Sequence, residues 1–393
     1  VWDSTQGTID QVIGAIPDNW KNGDDSLKQL QIGSSCTSIG SYAFYYCSGF
    51  TGALTIPNSV TSIGMYAFSE CPGFTSLTLP TNPNFTTISK ESFSYGYGFT
   101  GNLVIPDNVT TIKEFAFYAC TNLTGDLVIP DSVATIERGA FQDCYALTGS
   151  LTLPTNPNFT TIADGLCRAS GFTGSLVIPA SVTIIEQSAF NDCSGFTGSL
   201  IIPDSVTSIG SNAFTSCSGF TGSLTLPTNP NFTTIGSFAF SSCSGFTGSL
   251  TIPNSVTNIV SFAFGSCSGF TGSLTIPDSV TGIGSGAFSS CSGLTGSLTI
   301  GNSVTSIGSR AFYQCENLTG SLVIPDSVTG IGNNAFNGCS AITSVSILAT
   351  PAPTISSDAF LNMTSVSPAE IHVPVGATGY AASYDGLTVV YDL

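Results

Sequence analysis

Few kinds of side chain in this sequence have chemistry to offer: thirteen cysteines, twenty-four aspartates and glutamates and one histidine in 393 residues. Eleven cysteines recur three residues after a phenylalanine column, at Cys47, Cys71, Cys120, Cys144, Cys193, Cys217, Cys243, Cys267, Cys291, Cys315 and Cys339. Gly96, Ala169 and Met363 take that slot elsewhere, replacements that a metal site would not tolerate. Zinc also asks for CxxC pairs or cysteine with histidine close by, and neither occurs. Small or apolar substitutes suit a buried thiol acting as a compact hydrophobe and weak donor to a backbone carbonyl. Disulfides within one column are disfavoured, because its side chains point the same way and their number is odd. Free, buried thiols are expected, with Cys36 in a valine slot and Cys167, one residue past the column, as the more exposed thiol.

His372, in the string EIHVP, has no nucleophile motif beside it, so a partly exposed structural residue is expected. Paired carboxylates can hydrolyse a glycosidic bond, but the outward strand positions carry serine, threonine or valine. The main acidic column is Asp107, Asp131, Asp204, Asp278 and Asp326, with Asn58, Asn254 and Asn302 as alternates. It follows a proline, where short polar side chains hydrogen-bond turn backbone. A calcium ladder would need the DxDxDG spacing, which is missing. The recurring Ser-Gly-Phe-Thr-Gly lacks the lysine of a phosphate loop, so its glycines serve turns. No catalytic, cofactor-binding or metal-binding residue emerges, and no cofactor or enzymatic activity is expected.

The elements that carry these residues repeat. Aligned on an Ala-Phe pair, a column runs through Phe44, Phe68, Phe93, Phe117, Phe141, Leu166, Phe190, Phe214, Phe240, Phe264, Phe288, Phe312, Phe336 and Phe360, mostly 24 residues apart. An isoleucine stands five residues upstream in nearly every unit, as at Ile39 and Ile283, with Ile162 four upstream of Leu166. Pairs such as Leu54/Ile56 and Leu274/Ile276 precede a proline and alternate as a short strand must. A unit this short cannot bury its own apolar face, so a fixed period implies stacked coils. After the proline the spacing predicts a turn, a second short strand in Thr-x-Ile-Gly, and x-x-Ala-Phe, which fits one helical or 3₁₀ turn. The longer string LPTNPNFTTI at Leu79, Leu153 and Leu226 must bulge outward. Residues 1–29, with Trp2 and Trp20, and residues 367–393 lose the pattern and are expected to cap a repeat region of 30–366.

The string Leu-x-Ile-Pro-x-Ser-Val-Thr-x-Ile-Gly-x-x-Ala-Phe-x-x-Cys, at Leu274–Cys291 and Leu322–Cys339, resembles the BspA-like (treponemal-type) leucine-rich repeat. That resemblance implies a β-rich α/β repeat fold: a right-handed solenoid of about 14 coils with parallel strands and short helical or 3₁₀ turns. It also implies a noncatalytic, extracellular or cell-surface protein of a host-associated microbe, mediating adhesion or protein recognition. The family motif consists of core positions, so it transfers no binding residue. The glycine-containing TGS before the strand departs from the commonly shorter unit of the family.

Composition narrows the partners. Seven basic against twenty-four acidic residues leave a formal net charge of −17, which repels nucleic acid and anionic lipid. No apolar run approaches the ~20 residues of a membrane span, so no membrane insertion is expected. The start at Val1, without methionine, suggests a removed leader and export. Tyr42, Tyr66, Phe115, Phe238 and Phe262 occupy a variable slot two before the phenylalanine column, with Tyr45, Tyr46, Tyr95, Tyr97 and Tyr118 nearby. Aromatic clusters anchor protein or sugar surfaces because they bury much area at little rotamer cost. These five residues are the candidate binding positions, and host or cell-surface proteins, with glycans as a further class, the expected partners. Two alternatives stand beside that function: a carbohydrate-binding or carbohydrate-processing solenoid, and a structural surface spacer.

Overall fold

The computed structural model describes Trp2–Asp3, Thr8–Ile9 and residues 29–393. Most of the expected N-terminal cap, Trp20 included, lies outside the described residues. The chain divides into two compact units, residues 1–196 and 197–393, and in each the described residues from 29 onward form a stack of parallel β-coils.

One coil of the first unit shows how the sequence makes the fold. Leu127 and Ile129 point inward, and Val128 between them is 56% exposed, because successive residues of a strand face opposite sides. Pro130, lacking an N–H, ends the pairing. Val133, Ile136, Ala140, Phe141, Cys144 and Leu147 then turn inward in succession, all buried. Each strand pairs in parallel with its equivalent one coil away: Leu127 faces Leu151, and Ile136 faces Ile112. Like residues therefore form continuous rows. Phe44, Phe68, Phe93, Phe117 and Phe141 stack with centroids 5.0–5.7 Å apart and ring planes within 8°.

The second unit repeats the scheme more regularly. Seven short strands, from Ser208–Ile209 to Thr354–Ile355, form one parallel ladder. Rings from Phe214 to Phe360 stack at 5.3–5.8 Å. At the C-terminal end Gly320–Ile324, Ile342–Ile347, Glu370–Val373 and Leu387–Tyr391 run parallel, and Ser383–Tyr384 closes the sheet antiparallel. His372 lies on the outward row of this sheet, its Nδ1 3.0 Å from the Asp392 carboxylate.

Three expectations need correction. First, the x-x-Ala-Phe segment is not helical, and the described residues contain no helix or 3₁₀ turn. Its N–H groups alternate in direction. Those of Ala43, Tyr45 and Cys47 donate three residues back, while those of Tyr42, Phe44 and Tyr46 donate to Met65, Ala67 and Ser69 of the next coil. That alternation requires left-handed residues at Tyr42 (φ 59°) and Tyr46 (φ 60°), which a right-handed helix cannot contain.

Second, Leu166 does not belong to the phenylalanine column. The Phe141 N–H donates to Leu166 O, as Phe117 does to Ala140 O, so Leu166 fills the alanine slot and Cys167 the phenylalanine slot. Ile162 is then five residues upstream, as elsewhere, and Ser170 replaces Ala169 in the cysteine column. Third, Cys167 is not the exposed thiol but fully buried, because the ring slot it occupies points into the core.

The longer units bulge as expected. Phe85, Phe159 and Phe232 fill the valine slot, and Asn84, Asn158 and Asn231 are exposed. In each bulge one asparagine pins the loop: Asn156 Nδ2 donates to Val133 O at 2.8 Å, and its Oδ1 accepts from the N–H groups of Asn158 and Phe159.

Candidate recognition surface

The variable slot is held by the corner just described. Its residues all have φ between 51° and 62°, from Tyr42 through Tyr66, Glu91, Phe115, Phe238 and Phe262 to Asp358. Tyr42 stacks on Tyr66 with centroids 4.9 Å apart, and Tyr45 meets both rings edge-on at 5.7 and 6.2 Å. Tyr42 is 43% exposed and Tyr46 54%, while Tyr66 is half-buried. Two carboxylates from neighbouring coils fix the phenols: Tyr66 Oη donates to Glu91 Oε1 at 2.6 Å and Tyr45 Oη to Glu70 Oε1 at 3.0 Å. The Glu91 bond, then burial, pushes the Tyr66 phenol up to about 12, and the Glu70 bond raises that of Tyr45.

Farther along the same unit Tyr95 contacts Tyr97 and Tyr118 edge-on at 5.9 and 5.0 Å, and Phe115 meets Tyr118 at 5.4 Å. Arg138 lies 5.7 Å above the Phe115 ring and reaches Asp164 at 3.2 Å. Lys90 pairs with Glu114 at 2.6 Å and Lys113 with Glu137 at 3.0 Å, each across one coil. Eight of the twelve tyrosines fall within residues 42–145, so the first unit carries a tyrosine corner edged by carboxylates. Tyr42 and Tyr66 come together there. Phe115 lies on the same column beyond Glu91, half-buried and covering Gly139, where a Cβ would fall 2.2 Å from its ring.

Phe238 and Phe262 form a separate pair in the second unit, stacked at 4.9 Å. Phe238 is 38% exposed, while Phe262 folds over Gly286. Glu70 and Glu91 are not among the candidates that the sequence offers. Each stands 25 residues after the tyrosine it binds, close to one coil period, and that spacing was the available signal.

The cysteine column is not a reactive site. All thirteen cysteines are buried, and none is in a disulfide. Along the column the thiol donates to the carbonyl of the ring residue one coil earlier: Cys120 to Phe93 at 3.2 Å, Cys291 to Phe264 at 3.1 Å and Cys315 to Phe288 at 3.1 Å. Ser170 Oγ makes the same bond to Phe141 at 2.6 Å. Burial pushes the Cys120 and Cys291 thiols up to about 12, so the nucleophilic thiolate is scarce at neutral pH. The acidic column is structural too, although its acceptors serve the next coil rather than their own turn. Asp131 Oδ1 accepts from Thr155 N at 2.6 Å and Asp204 Oδ1 from Thr228 N at 2.7 Å. Among the described residues no three His, Cys, Asp or Glu side chains converge as metal ligands would. No helix among them is long and apolar enough to cross a membrane.

The sequence matches a family model described as the BspA type leucine rich repeat region over residues 15–148, 86–218, 160–295 and 261–382. No curated protein matches it. Among solved structures, a leucine-rich repeat protein from Bacteroides ovatus is 23% identical, with a TM-score of 0.59 over 86% of this chain and 82% of its own. A protein from Faecalibacterium prausnitzii described as a leucine rich cell surface protein is 26% identical, with a TM-score of 0.51 over 100% of this chain and 96% of its own.

Proposed function

Because this chain belongs to the BspA-type leucine-rich repeat family, we propose that it is a noncatalytic scaffold, exported or held at the cell surface, that recognises other proteins through the tyrosine corner of its first unit. The concentration of eight of twelve tyrosines within residues 42–145, on an otherwise near-uniform repeat, carries this reading. Core rows need the buried phenylalanines; they do not need half-exposed phenols. Tyrosine is enriched at binding hot spots because it offers a large amphipathic surface with two side-chain torsions to freeze. Here the torsions are already restrained by the Tyr42–Tyr66 stack and by the bonds to Glu91 and Glu70, which lowers the ordering cost on association. The net charge of −17 favours a partner with a basic face, by steering at long range. The surface location is supported by the likeness to the Faecalibacterium cell surface protein.

The test is a solution binding screen against extracellular matrix and cell-surface proteins, repeated with Tyr66→Ser and Phe115→Ser. A partner bound through this corner loses about tenfold or more in affinity with Tyr66→Ser, the scale of a lost hot spot. A partner whose affinity is unchanged by both substitutions refutes the assignment. Self-association of the chain with no bound partner supports a spacer role instead.

A further inference from the structure

A proline follows the first strand in coil after coil of the second unit: Pro203, Pro227, Pro253, Pro277 and Pro325. Two coils break the row, one with Gly301 and the last with Leu348, which follows Ile347 as Pro325 follows Ile324. A Cβ at Gly301 would fall 2.5 Å from Pro277 O, so the backbone there lies closer to the preceding coil than any residue with a side chain could. The missing ring leaves a gap between Pro277 and Pro325, and an open depression of about 780 Å³ lies over it. The outward strand residues Thr275, Thr299 and Val323 form its floor, Asp278 and Asn302 stand on one rim, and Leu348 lines the far side. A second hollow of about 350 Å³, containing Thr251 and Ser273, shares Asn254, Thr275 and Pro277 with the first and lengthens the groove across the strands.

The chemistry of this groove is narrow. Its strands pair with one another, Leu274–Thr275 with Leu298–Thr299 and Gly320–Ile324 with Ile342–Ile347, so the floor presents side chains and not free backbone amides. An extended peptide, which binds sheets through its backbone at an edge, has nothing to pair with here. No lysine or arginine lines the groove, which disfavours an anion. What remains is a row of hydroxyls, two carboxamides and one carboxylate beside the methyl groups of Val323 and Leu348. Asp278 Oδ1 accepts from Asn302 N at 2.7 Å, and its second oxygen is left to accept from a ligand. We propose that this groove is a second binding site, specific for neutral oligosaccharide, with the sugar chain lying across the strands. Ligand hydroxyls bond to Asp278, Asn254, Asn302 and the threonines, and the sugar C–H faces rest on Val323, Leu348 and Pro277. A single carboxylate without a second one opposite binds and does not hydrolyse.

The test uses the full chain and a panel of cello-, xylo-, manno- and malto-oligosaccharides, with oligogalacturonate and oligolysine as charged comparators, read by calorimetry. Thr299→Lys blocks the floor from an exposed position that the core does not use, and Thr225→Lys places the same change on a coil outside the groove. At least one neutral oligosaccharide is expected to bind, to weaken about tenfold or more with Thr299→Lys or with Asp278→Ala, and to be untouched by Thr225→Lys and Tyr66→Ser. The proposal is overturned if no neutral sugar binds, if both lysine variants weaken binding equally, or if a charged comparator binds more tightly than every neutral sugar.

Discussion

Replacing Phe288 by alanine tests the stacked rows most directly. Its ring is fully buried, parallel to Phe264 at 5.6 Å and to Phe312 at 5.4 Å. Truncating a buried phenylalanine costs about 3–5 kcal/mol through lost transfer energy and the cavity left behind. Each ring pair is worth about 0.5–1.5 kcal/mol beyond area, so the two stacks place this site toward the upper end of that range, at about 4–5 kcal/mol. In a stack of coils that loss falls on the two interfaces the ring bridges, not evenly on the unit. Native-state hydrogen exchange is therefore the assay, together with urea unfolding. The N–H groups of Phe264 and Phe288, which donate to Ala287 and Ala311 of the next coil, should exchange about a thousandfold faster. Phe238→Ala is the control: its ring is 38% exposed and stacked on one side only, on Phe262, so about 1 kcal/mol is expected. A cost below about 2 kcal/mol for Phe288→Ala, or one equal to the control, would refute the claim that continuous aromatic rows hold the coils together.

Further predictions concern single side chains. The Tyr66 phenol holds its proton more tightly in the folded chain, its pKa raised from 10.0 to about 12, so the Glu91 bond contributes fully below pH 10.0 and fades as pH rises through about 12. Tyr66→Phe should flatten the fall in urea midpoint over that window, and an unchanged slope would count against the bond. Cys291→Ser should change stability by no more than about 1 kcal/mol, since Ser170 already makes the same bond to a ring-residue carbonyl; thermal unfolding would show it. Asn156→Ala removes three hydrogen bonds of the bulged loop and should cost about 2 kcal/mol, with faster exchange confined to residues 154–160.

Much of the fold was legible in the spacing of Ile, Ala-Phe and Cys, because a buried position must be filled in every coil and its filler therefore recurs. The same regularity hid the candidate site, which consists of departures from the repeat. Tyr42 and Tyr66 stood out as departures, but their carboxylate partners did not, since Glu70 and Glu91 come from neighbouring coils. Around Cys167 the residue types point the other way, since Leu166 is the larger hydrophobe, but the Cys167 N–H donates to Ala189 O and the Phe141 N–H to Leu166 O, which places the thiol in the ring slot.

The sequence by itself determined which side chains face inward and that the chain must stack, since burial of apolar rows is a periodic property carried by residue type. Only the tertiary structure decided the shape of the corner. Its alternate N–H groups donate to the next coil, and partners 23 or 24 residues away select the left-handed backbone at Tyr42, Tyr66 and Phe115 against its local cost. The opening at Gly301 is of the same kind, because the loss of one ring becomes a groove only when prolines on the coils either side still stand.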